Sequence, residues 1–296
     1  MISVPARAGW CYFAHDFHPA FSPIFLVFRS RFFCCVWLLV CAAIFCGCGD
    51  NKKTSATAGN GPLIVGMELS FPPFEMLDEN HQPAGISVDL ARALAADLHR
   101  ELRIENLPFD TLITSLKTGR IDLIISSMTV RPDRAESIDF SEPYVHTGIA
   151  LLVRADSDIQ TAADLDQPGR RIVVKSGTTG FLYANEKLRR ATVRTLPEEA
   201  NCALEVSQGK ADAFLYDPIA VYQLNKKYPQ STRALLTPIQ REDWAIGIRK
   251  GNDTLRRQVN AFLEDFEAKR GMAALNEKFL RDDKEAYRRM GFPFLD

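Results

Sequence analysis

Residues 121–134 read IDLIISSMTVRPDR. The run IDLII has the length and composition of a buried strand, and it breaks off at Ser126 and Ser127. Thr129 follows, with Arg134 one turn further on. A buried strand that ends in hydroxyls and an arginine delivers polar groups to a particular place, and its neighbours show where. Upstream, LIVGM reads as a short strand, GISVDLARALAADLHRE as a helix with Asp89 in its first turn, and LRIENLPF as a strand. DTLITSLKTG reads as a helix stopped by Gly119. Downstream, GIALLVRADS is a strand and RIVVK another. ATVRTLP, EEANCALEVSQGK and ADAFLYD repeat strand, helix, strand, and DWAIGIRKG precedes the amphipathic helix LRRQVNAFLEDFEAKRG. The alternation predicts an α/β protein with parallel or mixed pairing. It falls into two units of roughly ninety residues each, too regular for one continuous sheet.

Composition narrows the function. With 36 basic against 37 acidic residues there is no basic excess to hold nucleic acid. The five histidines are scattered, so neither a metal site nor any other cofactor is expected. Of the seven cysteines, only Cys202 lies beyond residue 48, where it reads as a small buried apolar residue. Residues 29–48, RSRFFCCVWLLVCAAIFCGC, place two arginines before an apolar run too short to span a membrane, the layout of a secretory signal. The polar stretch GDNKKTSATAGNGP after it reads as a flexible linker. The Gly47-Cys48 end of the run resembles the lipobox of bacterial lipoproteins. That resemblance implies acylation of Cys48 and a membrane anchor. The alternatives are a plain signal peptide or an uncleaved anchor.

Ligands of open α/β sheets bind beyond the carboxyl ends of the strands. Those ends here carry Glu68 and Phe71, then Phe109, then Ser126, Ser127, Thr129 and Arg134, then Lys175 and Thr179, and finally Asp217. Together they complement an α-amino acid zwitterion. An arginine fork holds a carboxylate with help from hydroxyls, a carboxylate neutralises the ammonium, and aromatic rings wall the side chain. Each has a plainer reading: Arg134 as a surface ion pair beside Asp133 and Glu136, Asp217 before Pro218 as a helix cap, FPPF as a turn with apolar flanks. Their common position at strand ends favours the site.

With these residues in view the chain resembles the extracellular (periplasmic) solute-binding proteins of polar amino-acid ABC transporters, the family of glutamine-, histidine- and arginine-binding proteins. The resemblance rests on GMELSFPPFEMLDENHQPAGISVDLARALA, FDTLITSLKTGRIDLIISSMTVRPDRAESIDFSEPY, VVKSGTTG, GKADAFLYD and WAIGIRKGNDTLRRQVN, within residues 62–282. It implies a two-lobed, type II periplasmic-binding-protein fold with two crossing hinge strands, near Tyr144–Gly148 and Arg241–Ala245. On that layout residues 1–48 are the leader and 49–61 the linker. Lobe 1 takes 62–143 and 245–282, lobe 2 takes 149–240, and 283–296 form a C-terminal extension. The resemblance gives Arg134, Thr129 and the Thr179 backbone to the ligand carboxylate. Ser127 and Asp217 go to the ammonium, and Glu68, Phe71, Phe109, Ser126 and Lys175 to the side chain. The sequence departs from many members at Glu68, usually aspartate or asparagine, and at Ser127, usually glycine.

The implied protein is a non-enzymatic, monomeric capture subunit on the outer side of a bacterial membrane. It would deliver a free L-amino acid to a permease and its ATPase. One acid and one base at the side-chain end, Glu68 and Lys175, suit a neutral amide, so glutamine ranks ahead of basic and then acidic amino acids. The rival is a cyclohexadienyl or arogenate dehydratase on the same scaffold, which would need a poorly solvated, unpaired acid in the cleft; Asp217 is the candidate. A receptor sensor domain would need a transmembrane helix after the lobes, and none is read there.

Overall fold

The computed structural model describes residues 61–292 and 294. The leader, Cys48 and the linker as far as residue 60 lie outside them. The first unit is β1 (Leu63–Met67), the small antiparallel ribbon β2 (Ser70–Phe71), β3 (Glu75–Leu77) and β4 (Pro83–Ala84), and helix α1 (Ile86–Asp97). It continues through β5 (Leu102–Asn106), α2 (Leu112–Thr118), β6 (Leu123–Ile124) and α3 (Pro132–Ser137). A strand of 17 residues, β7 (Ile138–Arg154), leads into the second unit. That unit holds β8 (Arg171–Lys175), α4 (Thr179–Lys187), β9 (Thr192–Leu196), α5 (Glu199–Ser207), β10 (Ala213–Tyr216) and α6 (Pro218–Lys227). The 18-residue β11 (Thr232–Arg249) returns the chain, and α7 (Asp253–Ala268) and α8 (Gly271–Met290) close it.

Two parallel triplets, β5-β1-β6 and β10-β8-β9, flank an antiparallel pair, β11 and β7. Each triplet with its helices is one lobe. The inner parallel strands β1, β6, β8 and β10 are buried on both faces, hence their apolar runs, whereas the edge strands β5 and β9 alternate polar and apolar residues. The expectation that the two units could not share one sheet needs correction: the ladder runs through all eight strands in the order β5-β1-β6-β11-β7-β10-β8-β9. The physical reason is that β7 and β11 pair with each other along most of their length, while β11 also pairs with β6 of the first triplet and β7 with β10 of the second. The ladder bends where their register slips, between Leu235 and Gln240 and again around Ala245. Between those slips Arg241, Glu242 and Trp244 lie opposite Gly148, Thr147 and Val145.

Trp244, fully buried, packs edge-on against Phe71 and Phe74 with ring centroids 5.8 and 5.0 Å away, so the crossing is part of the core. Cys202 is buried and unpaired on α5, as read. α8 is interrupted at Leu280 (φ −129°, ψ 15°), and the extension from Asp283 continues it as helix. Before the break Lys278 pairs with Asp89 of α1 at 2.7 Å. After it, Asp283 lies 3.5 Å from Lys226 of α6, and Tyr287 stands edge-on to Tyr222 at 5.5 Å. Among the described residues no helix is long and apolar enough to cross a membrane.

Candidate functional site

The two lobes meet along the carboxyl ends of their parallel strands, around a cavity of about 30 Å³. Its wall contains Glu68, Phe71, Phe109, Ser126, Ser127, Thr129, Arg134, Thr179 and Asp217, nine of the ten residues assigned to the ligand from the sequence. Lys175, the tenth, does not line it. Its ammonium is buried behind the wall and bonded to the Glu68 carboxylate across the lobe boundary. Glu68 and Lys175 thus form an ion pair shared by the two lobes.

Arg134 rises from the first turn of α3, where Pro132 at N1 and the extended Arg131 start the helix. It is 7% exposed, and the surface ion pair suggested for it is made by Arg131, 2.9 Å from Asp133. Its Nη1 donates to the Thr129 carbonyl at 2.8 Å, and its Nη2 to the Gly177 carbonyl of lobe 2 at 3.0 Å. Gly177 presents that carbonyl from a left-handed conformation (φ 73°) that a side chain would disfavour. The guanidinium also sits 5.5 Å from the centre of the Phe109 ring. Burial pulls its pKa down to about 10, so it stays charged.

Asp217 ends β10 and takes the N-cap position of α6, but its side chain makes no capping bond. It borders the cavity while protein surrounds it. Burial, and then the negative neighbours Glu242 and Glu199, hold its carboxyl well above the usual range. Among the described residues its carboxylate makes no salt bridge, and its electrostatic counter-charge is Arg134 across the cavity.

Ser126 and Ser127 answer partly to a residue the sequence did not flag. Glu75, 1% exposed on β3, accepts from the Ser126 hydroxyl at 3.4 Å and the Ser127 hydroxyl at 3.2 Å. Burial raises its pKa to about 8 against the pull of the serines. Ser126 Oγ in turn accepts from the Glu68 N–H at 3.0 Å, and Glu68 Oε1 from the Phe109 N–H at 3.3 Å. Ser127 has φ 49°, which explains why glycine suits this position: a side chain there costs on the order of 1–3 kcal/mol, and the bond to Glu75 offsets part of it.

Glu242 was also missed. It is buried on β11, and its Oε2 accepts from the hydroxyls of Thr129 at 3.0 Å and Thr179 at 2.9 Å. Burial raises its pKa, while those hydroxyls, Gln240 and Arg134 act to lower it. Tyr216 and Thr178 complete the wall, and Tyr216 stands edge-on to Phe71 at 5.6 Å. Behind it, burial lifts Glu199 to about 7 against the pull of Lys175. No cluster of His, Cys, Asp and Glu among the described residues could hold a metal.

Residues 63–282 match the family described as bacterial extracellular solute-binding proteins, family 3. The chain is 30% identical over 236 residues to the L-cystine-binding protein TcyJ of Escherichia coli (strain K12), covering 79% of this chain and 88% of the relative. Among solved structures, an ancestral amino acid-binding protein described as a precursor of cyclohexadienyl dehydratase superposes with a TM-score of 0.69. It is 33% identical and covers 74% of this chain and 95% of its own. An ancestral arginine-binding protein bound to glutamine gives a TM-score of 0.70 at 29% identity, covering 75% of this chain and 99% of that one.

Proposed function

The chain belongs to the bacterial extracellular solute-binding proteins of family 3, and from that premise we propose that it captures a polar L-amino acid between its lobes, glutamine before a basic amino acid. It is an amino-acid-binding periplasmic component of an ABC transporter, a binding protein and not an enzyme. The observation that carries the ligand reading is the pairing of opposites around one cavity. Arg134 from lobe 1 has more N–H donors than the two it gives to the Thr129 and Gly177 carbonyls, and Asp217 from lobe 2 makes no salt bridge among the described residues. A zwitterion that touches both favours the closed arrangement, because its binding energy is realised only when the lobes meet.

The side-chain preference rests on Glu68 and Lys175. Lys175, behind the wall, already neutralises Glu68, so the pair presents a carboxylate acceptor to the cavity with no net charge. A side-chain amide can donate its NH₂ to that acceptor without bringing a charge of its own. A guanidinium or ammonium would compete with Lys175 for Glu68.

Asp217 also meets the condition set for a dehydratase acid, poorly solvated and without a salt bridge among the described residues. That condition does not separate the readings, since a carboxyl meant for a ligand's ammonium has the same properties. The named relative and both structural neighbours are described as binding proteins. Lipid anchoring through Cys48 is part of the proposal and rests on the Gly47-Cys48 boundary alone.

Calorimetric titration of the purified protein with L-glutamine, L-arginine, L-cystine and L-glutamate tests the reading. Micromolar binding of glutamine, with arginine weaker, is expected. Cystine or arginine binding with no response to glutamine overturns the assignment of the Glu68–Lys175 end.

A further inference from the structure

Glu242 stands on the part of β11 between the two triplets, opposite Thr147 of β7. All its hydrogen bonds are accepted. Thr129 and Thr179 donate to Oε2, and Gln240 Nε2 donates to Oε1 at 2.9 Å. Thr129 follows β6 in lobe 1, and Thr179 opens α4 in lobe 2. One carboxylate oxygen thus collects a hydroxyl from each lobe. Arg134 belongs to the same neighbourhood: the two groups shift each other's titration as opposite charges do.

The resemblance gives the ligand carboxylate Arg134, Thr129 and the Thr179 backbone, so the two carboxylates share Arg134, Thr129 and the same stretch of α4. Resting on the proposed function, we infer that Glu242 is the protein's own stand-in for the ligand carboxylate, holding the Thr129 and Thr179 side chains until an incoming carboxylate claims Thr129 and the Thr179 backbone. The cavity is bordered by Arg134, Thr129 and Thr179 themselves. A hydroxyl has one proton to donate, so the Thr129 hydroxyl serves Glu242 or the ligand and not both. When it turns to the ligand, Glu242 keeps Thr179 and Gln240 and faces a like charge, with Asp217 as a further acidic neighbour.

Two effects follow. Glu242 holds the lobes together through its two hydroxyl partners in a closed form whose Thr129 hydroxyl is already taken, and it lowers affinity by competing for that donor. A ligand whose binding form is only part of the population binds more weakly by that fraction.

The test is Glu242→Gln, which keeps size and an acceptor but removes the charge, so the remaining hydrogen bonds weaken. Without added amino acid the variant should be less compact than the parent in small-angle scattering. Its affinity for L-glutamine or L-arginine should rise by about tenfold or more, because like charges brought together oppose binding. Thr129→Val serves as the second variant. It should loosen the same compact form yet bind more weakly, since the ligand also uses that hydroxyl. The opposite signs are the signature, and thermal unfolding confirms that both variants fold. Reduced affinity in Glu242→Gln overturns the inference and makes Glu242 a partner of the ligand ammonium. Unchanged compaction and affinity also overturn it. Arg134→Lys separates the premise: normal binding by that variant removes the carboxylate site itself, whereas lost binding there with an inert Glu242→Gln removes only the stand-in.

Discussion

Replacing Arg134 by lysine keeps a positive charge and removes the planar fork, so the loss reports what the fork does. The guanidinium gives one N–H each to the Thr129 and Gly177 carbonyls, and three of its five N–H donors remain for a carboxylate. A lysine ammonium cannot hold both carbonyls and still meet two carboxylate oxygens side by side. One charge-assisted bond is forfeited, about 1.5–3 kcal/mol. The contact with the Phe109 ring weakens as well, about 0.5–1 kcal/mol. Because Arg134 is only 7% exposed, solvent screening does not dilute these terms. The sum is about 3 kcal/mol, or roughly two orders of magnitude in Kd. Isothermal titration of parent and variant with L-glutamine and L-arginine measures it. A Kd for Arg134→Lys within about threefold of the parent, for every amino acid the parent binds, would refute the assignment of the carboxylate to this residue.

Glu75 gives a pH prediction. Its pKa is raised from 4.5 to about 8 on folding, so across that window the folded state holds more protons than the unfolded one and stability falls as pH rises. Glu75→Gln removes this contribution, so its unfolding temperature should drop less from pH 5 to pH 8 than the parent's; an equal or steeper drop contradicts the sign. Lys175→Gln strips Glu68 of its cation and should move preference toward arginine by at least about tenfold relative to glutamine. An unchanged ratio in parallel titrations would place the pair outside ligand choice. Cys48→Ser should release the mature protein from membranes and remove the mass of its acyl chains; identical detergent partitioning and mass in parent and variant would reject the anchor.

What was legible in the sequence followed from signals that need no third dimension. IDLII announces a buried strand by composition, and in a parallel strand the residues just past the carboxyl end must face the cleft, so Ser126, Thr129 and Arg134 followed. The missed residues have no such local mark. Glu75 sits on a three-residue strand after Pro72-Pro73, too short for any alternation, and reads as one more polar residue in a turn. Its burial comes from tertiary contacts, with Ser126 and Ser127 some fifty residues away in sequence. Glu242 looks like an exposed charge between Arg241 and Asp243. It is buried because β11 pairs with β7 on one side while threonines from both lobes reach its side chain. The continuous ladder was hidden for the same reason. Strands of 17 and 18 residues interrupted by Pro143 and Pro238 read as several short ones.

The C-terminal helix has one end on each lobe. Lys278 fastens it to α1, Asp283 and Tyr287 fasten it to α6, and Leu280 breaks it in between. It therefore works as a jointed tie-rod. When α6 swings away from α1, the rod must either flex at Leu280 or let go at Tyr222. The stiffness of that joint then enters the opening motion alongside that of the two crossing strands. A chain cut at the end of the family match, residue 282, would keep the first fastening and lose the second. Its lobes would be joined by the crossing strands without the rod, free to part further for the same energy.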